Sequence, residues 1–219
     1  DINNLDGWTP TYTVAYNYFE GIGRRTFLKN ALRKANYIEP YYEPVIITID
    51  GKESLENFIY KLNTVNPDAS IMEHDLSTKS MEEKVNIAKA LVKEFINFRE
   101  IIFIIDDGGI VLPHHEIVGW FRDLVQDEIF ANNLVFCLVS RYKPNENTLH
   151  KEHLALVYRI PELSKSETQN LFLKLLHITQ MDNIPRNDKE FFLSKLGGIP
   201  SQINLAVFMM ETDLMNARR

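Results

Sequence analysis

A chain of 219 residues, 45% hydrophobic and 25% charged, carries enough apolar material for one large core, or for a domain with a smaller companion. Its formal net charge of -6 lacks the basic excess of a dedicated nucleic-acid surface, and a single cysteine, Cys137, excludes both a disulfide framework and a cysteine-type zinc site. There is no run of about 18 apolar residues and no basic-then-apolar leader, so neither a membrane partner nor secretion is expected, and the reading is cytoplasmic. The start at Asp1 and the end at Arg218-Arg219, straight after a helical pattern, lead us to expect a piece of a longer protein with further domains.

Thr11 to Phe19 (TYTVAYNYF) is rich in β-branched and aromatic residues and predicts a strand, ended by the glycines of Gly21-Ile22-Gly23. Phe27, Leu28, Ala31, Leu32 and Ala35 then recur at helical spacing over residues 26–35. Val45 to Asp50 (VIITID) predicts a second strand, followed by a helix over residues 54–62 that stops near Asn66-Pro67. Val85, Ala88, Val92 and Phe95 mark a third helix from Met81. Ile101 to Asp106 (IIFIID) is continuously apolar, as a strand covered on both faces must be, and it ends in Asp106, Asp107 and Gly108-Gly109.

Beyond Pro113 the pattern predicts one helix over residues 117–130, then a fully apolar strand over 134–139 ending in Ser140-Arg141, and a last strand over 154–160. Strands alternating with helices imply a parallel sheet covered on both faces, since parallel neighbours need crossover connections. After Pro161 the strand signal stops. Ser164-Lys165-Ser166-Glu167 has the form of a capping box, the helix that follows is expected to bury Leu171, Phe172, Leu175 and Leu176, and further helical patterns run over residues 190–196 and, after Gly197-Gly198-Ile199-Pro200, 201–215. The expected organisation is an α/β domain over residues 1–160 and a small all-helical subdomain over 161–219.

Three features could carry chemistry. The first is Gly21-Ile22-Gly23-Arg24-Arg25-Thr26, a glycine turn entering a helix, where backbone amides and a helix N-terminus can surround phosphate. Matched to GxxxxGK[ST], Gly23 takes the second glycine, Arg24 the lysine and Arg25 the Mg²⁺-holding hydroxyl, with Tyr18 in the place of the first glycine. Thr26, one residue later, is the nearest hydroxyl; a plain turn with solvated arginines is the alternative. The second is Asp106-Asp107, carboxylates at the strand end where ligands of open α/β sheets bind, able to hold Mg²⁺ through water. The third is Ser140-Arg141, where an arginine past a buried strand can reach a terminal phosphate. His150 and His153 share a possible helix face without a third ligand at recognisable spacing, His114-His115 reads as a solvated loop, and Cys137 reads as a small core residue.

In this order, with a helical tail carrying GGIP, the set resembles the signal-transduction ATPases with numerous domains, the STAND group that includes the NB-ARC and NACHT modules. The resemblance covers nearly the whole chain. GIGRRT is similar to the family's Walker A, with Gly21, Ile22, Gly23, Arg24, Arg25, Thr26 and Phe27 implied around the nucleotide. IIFIIDD is similar to its Walker B, implying Asp106 as the Mg²⁺ residue and Asp107 as the catalytic acid. LVFCLVSR is similar to the sensor strand, implying Arg141 at the γ-phosphate, and GGIPSQINLA resembles the GLPLA motif, implying Pro200 beside adenine.

The resemblance thus implies a P-loop NTPase core of the ASCE/STAND kind with a helical subdomain, taking ATP or ADP with Mg²⁺. It also implies self-association and an effector domain outside this sequence, in bacterial relatives often a TIR or protease-like domain. Arginines in place of the lysine and the Mg²⁺ hydroxyl make slow or absent hydrolysis the expectation, since both normally stabilise transition-state charge. Two other classes stay open. Gly21-x-Gly23-x-x-Thr26 with Asp50 at the end of the second strand could belong to a Rossmann-type NAD(P) enzyme, and the chain could be an interaction scaffold without a ligand.

Overall fold

A computed structural model describes residues 9–66, 75–131, 133–145 and 155–217, with the side chains of 213–217 outside the description. Five strands form one all-parallel sheet: β1 (Tyr12–Tyr16), β2 (Val45–Asp50), β3 (Ile102–Asp107), β4 (Phe136–Ser140) and β5 (Ala155–Arg159). Their spatial order is β2-β3-β4-β1-β5. Among the described residues there are seven α-helices: α1 (Arg24–Lys34), α2 (Leu55–Thr64), α3 (Met81–Asn97), α4 (Gly119–Val125), α5 (Lys165–Ile178), α6 (Arg186–Lys195) and α7 (Pro200–Ala217). This α/β architecture is compatible with a P-loop-like core. No helix of the described residues is long and apolar enough to cross a membrane.

The strand order fixes where a ligand crevice can form. The connection leaving β1 runs past β4 and β3 to reach β2, whereas the connection leaving β4 passes β1 to reach β5. The C-terminal ends of β1 and β4 are therefore neighbours whose onward chains depart in opposite directions, and open α/β sheets bind ligands at such a point. Right-handed crossovers send α1 to one face of the sheet and α2 and α3 to the other. On the latter face, alternate strand residues Tyr12, Val14, Ile47, Ile49, Ile102, Ile104, Phe136 and Leu138 join Phe58, Phe95 and Phe121 from α2, α3 and α4 in one core. Each of these fully buried aromatic rings stabilises the fold by about 2–3 kcal/mol relative to leaving it in water.

Two expectations need correction. The expected double cover holds for the inner strands but not for the edges: along β2, Ile47 and Ile49 are buried while Ile46, Thr48 and Asp50 are exposed, and in β5 Tyr158 and Arg159 are exposed. The single helix expected over residues 117–130 is α4 followed by a short 3₁₀ turn, Glu128–Phe130. Asp127 starts that turn by accepting from the Ile129 amide (3.1 Å) while pairing with Lys89 on α3 (2.9 Å), and this competes with continuing the helix.

By internal contacts the chain forms two compact units, residues 1–18 with 25–159, and residues 19–24 with 160–219. In the second, helical unit, Phe172 and Leu176 of α5, Met181, and Ile203, Val207 and Met210 of α7 build a separate core. The expected capping box is present at α5: the Glu167 amide donates to Ser164 Oγ (3.3 Å) and the Ser164 amide to Glu167 Oε2 (2.8 Å). On α7, Leu205, Phe208 and Met209 are exposed. That helix is therefore apolar on more than its core-facing side.

Candidate functional site

In the sheet unit, register brings three strand ends together. Tyr16 of β1 lies opposite Ser140 of β4, and Asp106 of β3 lies opposite the same Ser140. The Asn17 amide donates to the Ser140 carbonyl (3.3 Å), and the Arg141 amide to the Asp106 carbonyl (3.3 Å). The sequence-predicted residues Asp106, Asp107 and Arg141 thus meet at the end of the sheet where β1 and β4 part.

The two acids are not equivalent. Asp106 is 2% exposed, on the same side of β3 as core residues Ile102 and Ile104. Its Oδ1 accepts from the Gly109 (3.0 Å) and Ile110 (2.8 Å) amides, and its Oδ2 from the Val111 amide (3.1 Å) and Ser140 Oγ (2.8 Å). A carboxylate has about four acceptor positions, so this one is saturated. Burial pushes its pKa up from the ordinary carboxylate value, with the hydrogen bonds from Ile110, Ser140, Val111 and Gly109 pulling the other way. Asp106, which the resemblance assigns to Mg²⁺, is here the brace of the Gly108–Val111 turn.

Asp107 points the other way and is exposed. Its Oδ1 stands 3.8 Å from Arg141 Nη1, and the Arg141 guanidinium lies 6.0 Å from the centre of the Tyr142 ring. Both charged groups are largely solvated, so this contact stabilises the fold by less than about 1 kcal/mol and holds neither side chain firmly. Among the described residues no group of three His, Cys, Asp or Glu side chains could hold a metal ion. His114 and His115 are exposed on their loop, and His150 and His153 lie outside the described residues.

The glycine loop belongs to the helical unit. Gly21 (φ 70°) and Gly23 (φ 86°) both sit in the left-handed region that other residues rarely adopt. Their surroundings differ: a Cβ on Gly21 would overlap Oγ and Cβ of Ser201, whereas around Gly23 there is open space. The Ser201 amide, in the first turn of α7, donates to the Gly21 carbonyl (3.2 Å). Pro200 begins α7, where its fixed φ suits a first helical residue and its missing N–H is no loss. Ile22 is buried. Gly198 allows a second close approach, with its carbonyl accepting from the Leu163 amide (2.8 Å) and a Cβ there overlapping the Leu163 backbone.

Arg24 and Arg25 open α1, whose first turn carries no acidic residue. Cations at that end oppose the helix dipole, and an anion would reverse the balance. Thr26 is exposed beside them. Phe27 turns instead toward the sheet edge, where its ring stacks on Tyr158 of β5 (5.3 Å between centres, 6° between planes) and lines an apolar cleft of about 310 Å³ with Ala15, Leu28, Ala31 and Leu156. Cys137 is fully buried, and burial pushes its thiol up to about 12, with the Thr13 hydroxyl beside it.

Sequence reasoning named Ser140 only beside Arg141, without its bond to Asp106, and gave Ser201 no role. Ser140 had a readable signal, because a hydroxyl at the end of a buried strand must find a partner. Ser201 had none, since nothing in a sequence pairs it with Gly21. No protein-family model matches the chain, and no curated protein is similar enough to count as a relative.

Proposed function

We propose that this chain is a nucleotide-binding regulatory and oligomerisation module of a STAND-type signalling protein, holding ATP or ADP with weak or no hydrolysis. The observation that carries the reading is the exposed pair Asp107 and Arg141 at the ends of β3 and β4, next to the end of β1. Phosphate is the ligand that the loop's chemistry suits, with left-handed glycines before a helix whose first turn contains two arginines and no acidic residue; within the sheet unit, Arg141 is by itself a lightly held cation.

The saturation of Asp106 and the arginines in place of a P-loop lysine and hydroxyl support slow or absent turnover. Asp107 is the acid with free acceptor positions that could meet the water shell of a Mg²⁺ arriving with the phosphates. The exposed Leu205, Phe208 and Met209 on α7 support a protein-contact role, which the resemblance extends to self-association and to an effector domain beyond this sequence, in the cytoplasm.

The NAD(P) alternative loses its acid. In dinucleotide folds the ribose-binding carboxylate ends the strand next to β1. Here β3 and β4 lie between β2 and β1, which puts Asp50 about 14 Å away at the far edge of the sheet. Mass spectrometry of the ligand released on denaturing the purified protein tests the proposal. ADP or ATP is expected; NAD(H), or no nucleotide together with no thermal stabilisation by millimolar ADP, would overturn it.

A further inference from the structure

Ser201 holds the glycine loop by two means at once. Its amide donates to the Gly21 carbonyl, and its side chain fills the space that any Cβ at position 21 would need. Because the peptide bond is planar and trans, the Gly21 carbonyl and the Ile22 N–H point in opposite directions. Fixing the carbonyl toward α7 therefore fixes the Ile22 N–H away from it, and sets the direction of one dipole in the turn that leads into Arg24 and Arg25. A Cβ at Gly23, by contrast, would meet nothing, so the close approach to α7 is made at Gly21.

We infer that Ser201 is a positioning residue for the loop at Gly21–Arg24, and that α7 reports the conformation of that loop. A change in the Gly21–Ile22 peptide breaks or strengthens the first-turn hydrogen bond of α7, and ordering of α7's first turn fixes the loop in return. Backbone packing at Gly198 on Leu163 anchors the chain just before α7, so the displacement is taken up at Ser201 rather than along the whole segment. That the signal is a nucleotide rests on the function proposed above. The clamp itself does not.

Hydrogen exchange of the full 219-residue chain, read by mass spectrometry, tests both parts. In the first arm, without nucleotide, Gly21→Ala drives a methyl into Ser201 and is expected to speed exchange about tenfold or more in both residues 19–24 and the first turn of α7. Gly21→Ala with Ser201→Gly removes the overlap, leaving Ser201's Cα at 3.6 Å, an ordinary contact, and should restore protection at both segments relative to the single variant. Faster exchange in the loop alone, or no recovery in the double variant, would overturn the clamp; the same φ strain is present in both, so it cannot produce the difference.

In the second arm, ADP with Mg²⁺ should slow exchange at the loop and at α7's first turn together in the wild type and also in Ser201→Gly, which keeps the amide that donates to the Gly21 carbonyl. A response confined to the loop in the wild type would overturn the reporting role. No response anywhere would overturn the nucleotide reading, while the clamp stands or falls on the first arm.

Discussion

The end of β3 and the loop after β1 are both turns at the C-terminal ends of parallel strands, and they are stabilised in opposite ways. At β3 the turn supplies its own anion: the Asp106 carboxylate gathers three backbone amides and the Ser140 hydroxyl, and nothing polar is left over. After β1 the turn supplies cations instead, Arg24 and Arg25 in a first helical turn that contains no acidic residue, and it is held through the Gly21 carbonyl by α7. A turn that contains its own carboxylate is finished as a structure, whereas one that collects positive charge and dipole suits an external anion, the ligand proposed for it above. The difference separates architecture from ligand chemistry more sharply than motif spelling does.

The largest effect should come from emptying the finished turn. Asp106→Ala leaves three amides and a hydroxyl buried without an acceptor and is expected to cost about 3–5 kcal/mol, lowering Tm by about 10 °C, measured by thermal or urea unfolding. A loss under about 1 kcal/mol would show that the turn does not depend on this carboxylate.

Arg141→Ala should act the other way round. Stability changes by less than about 0.5 kcal/mol, because the Asp107 contact is exposed, while the preference for ATP over ADP falls about tenfold, the size of one charge-assisted hydrogen bond to the terminal phosphate. Equal loss of both nucleotides in calorimetry would remove Arg141 from the γ-phosphate position.

The smallest effect concerns acid, and it separates the braced acid from an ordinary paired one. Lys84 on α3, 2.5 Å away, with help from the Ser54 hydroxyl, holds Glu56 of α2 at about 2 against an ordinary 4.5. Its folded value is depressed, so this link is fully present above pH 4.5 and is lost as pH falls toward 2. Asp106 is shifted upward, so the folded state binds its proton first and acid does not remove stability there. Glu56→Gln should therefore flatten the stability profile between pH 4.5 and 2 in urea titrations. An unchanged slope would mean that other carboxylates carry the acid response.

Much of this contrast was hidden from the sequence for identifiable reasons. IIFIIDD was legible as a buried strand, but because both of its faces are apolar, Phe103 and Ile105 on one and Ile102 and Ile104 on the other, alternation could not say which acid turns into the core. Order of elements was legible; order of strands in the sheet was not, and it is the placement of β2 at the edge that removes Asp50 from β1. The glycines at 21 and 23 were legible as a turn, yet their different duties depend on Ser201, which is distant in sequence. The break after α4 was missed because Asp127 acts through Lys89 on another helix, and helical periodicity carries no trace of that pair.

Titration calorimetry with ADP, comparing the wild-type chain with Arg24→Ala/Arg25→Ala, separates a phosphate loop from a plain turn. One site is expected in the wild type and at least tenfold weaker binding in the double variant, which should still unfold cooperatively. Equal affinity in the two proteins, or no binding of ADP or ATP by the wild type at millimolar concentration, would contradict the phosphate loop.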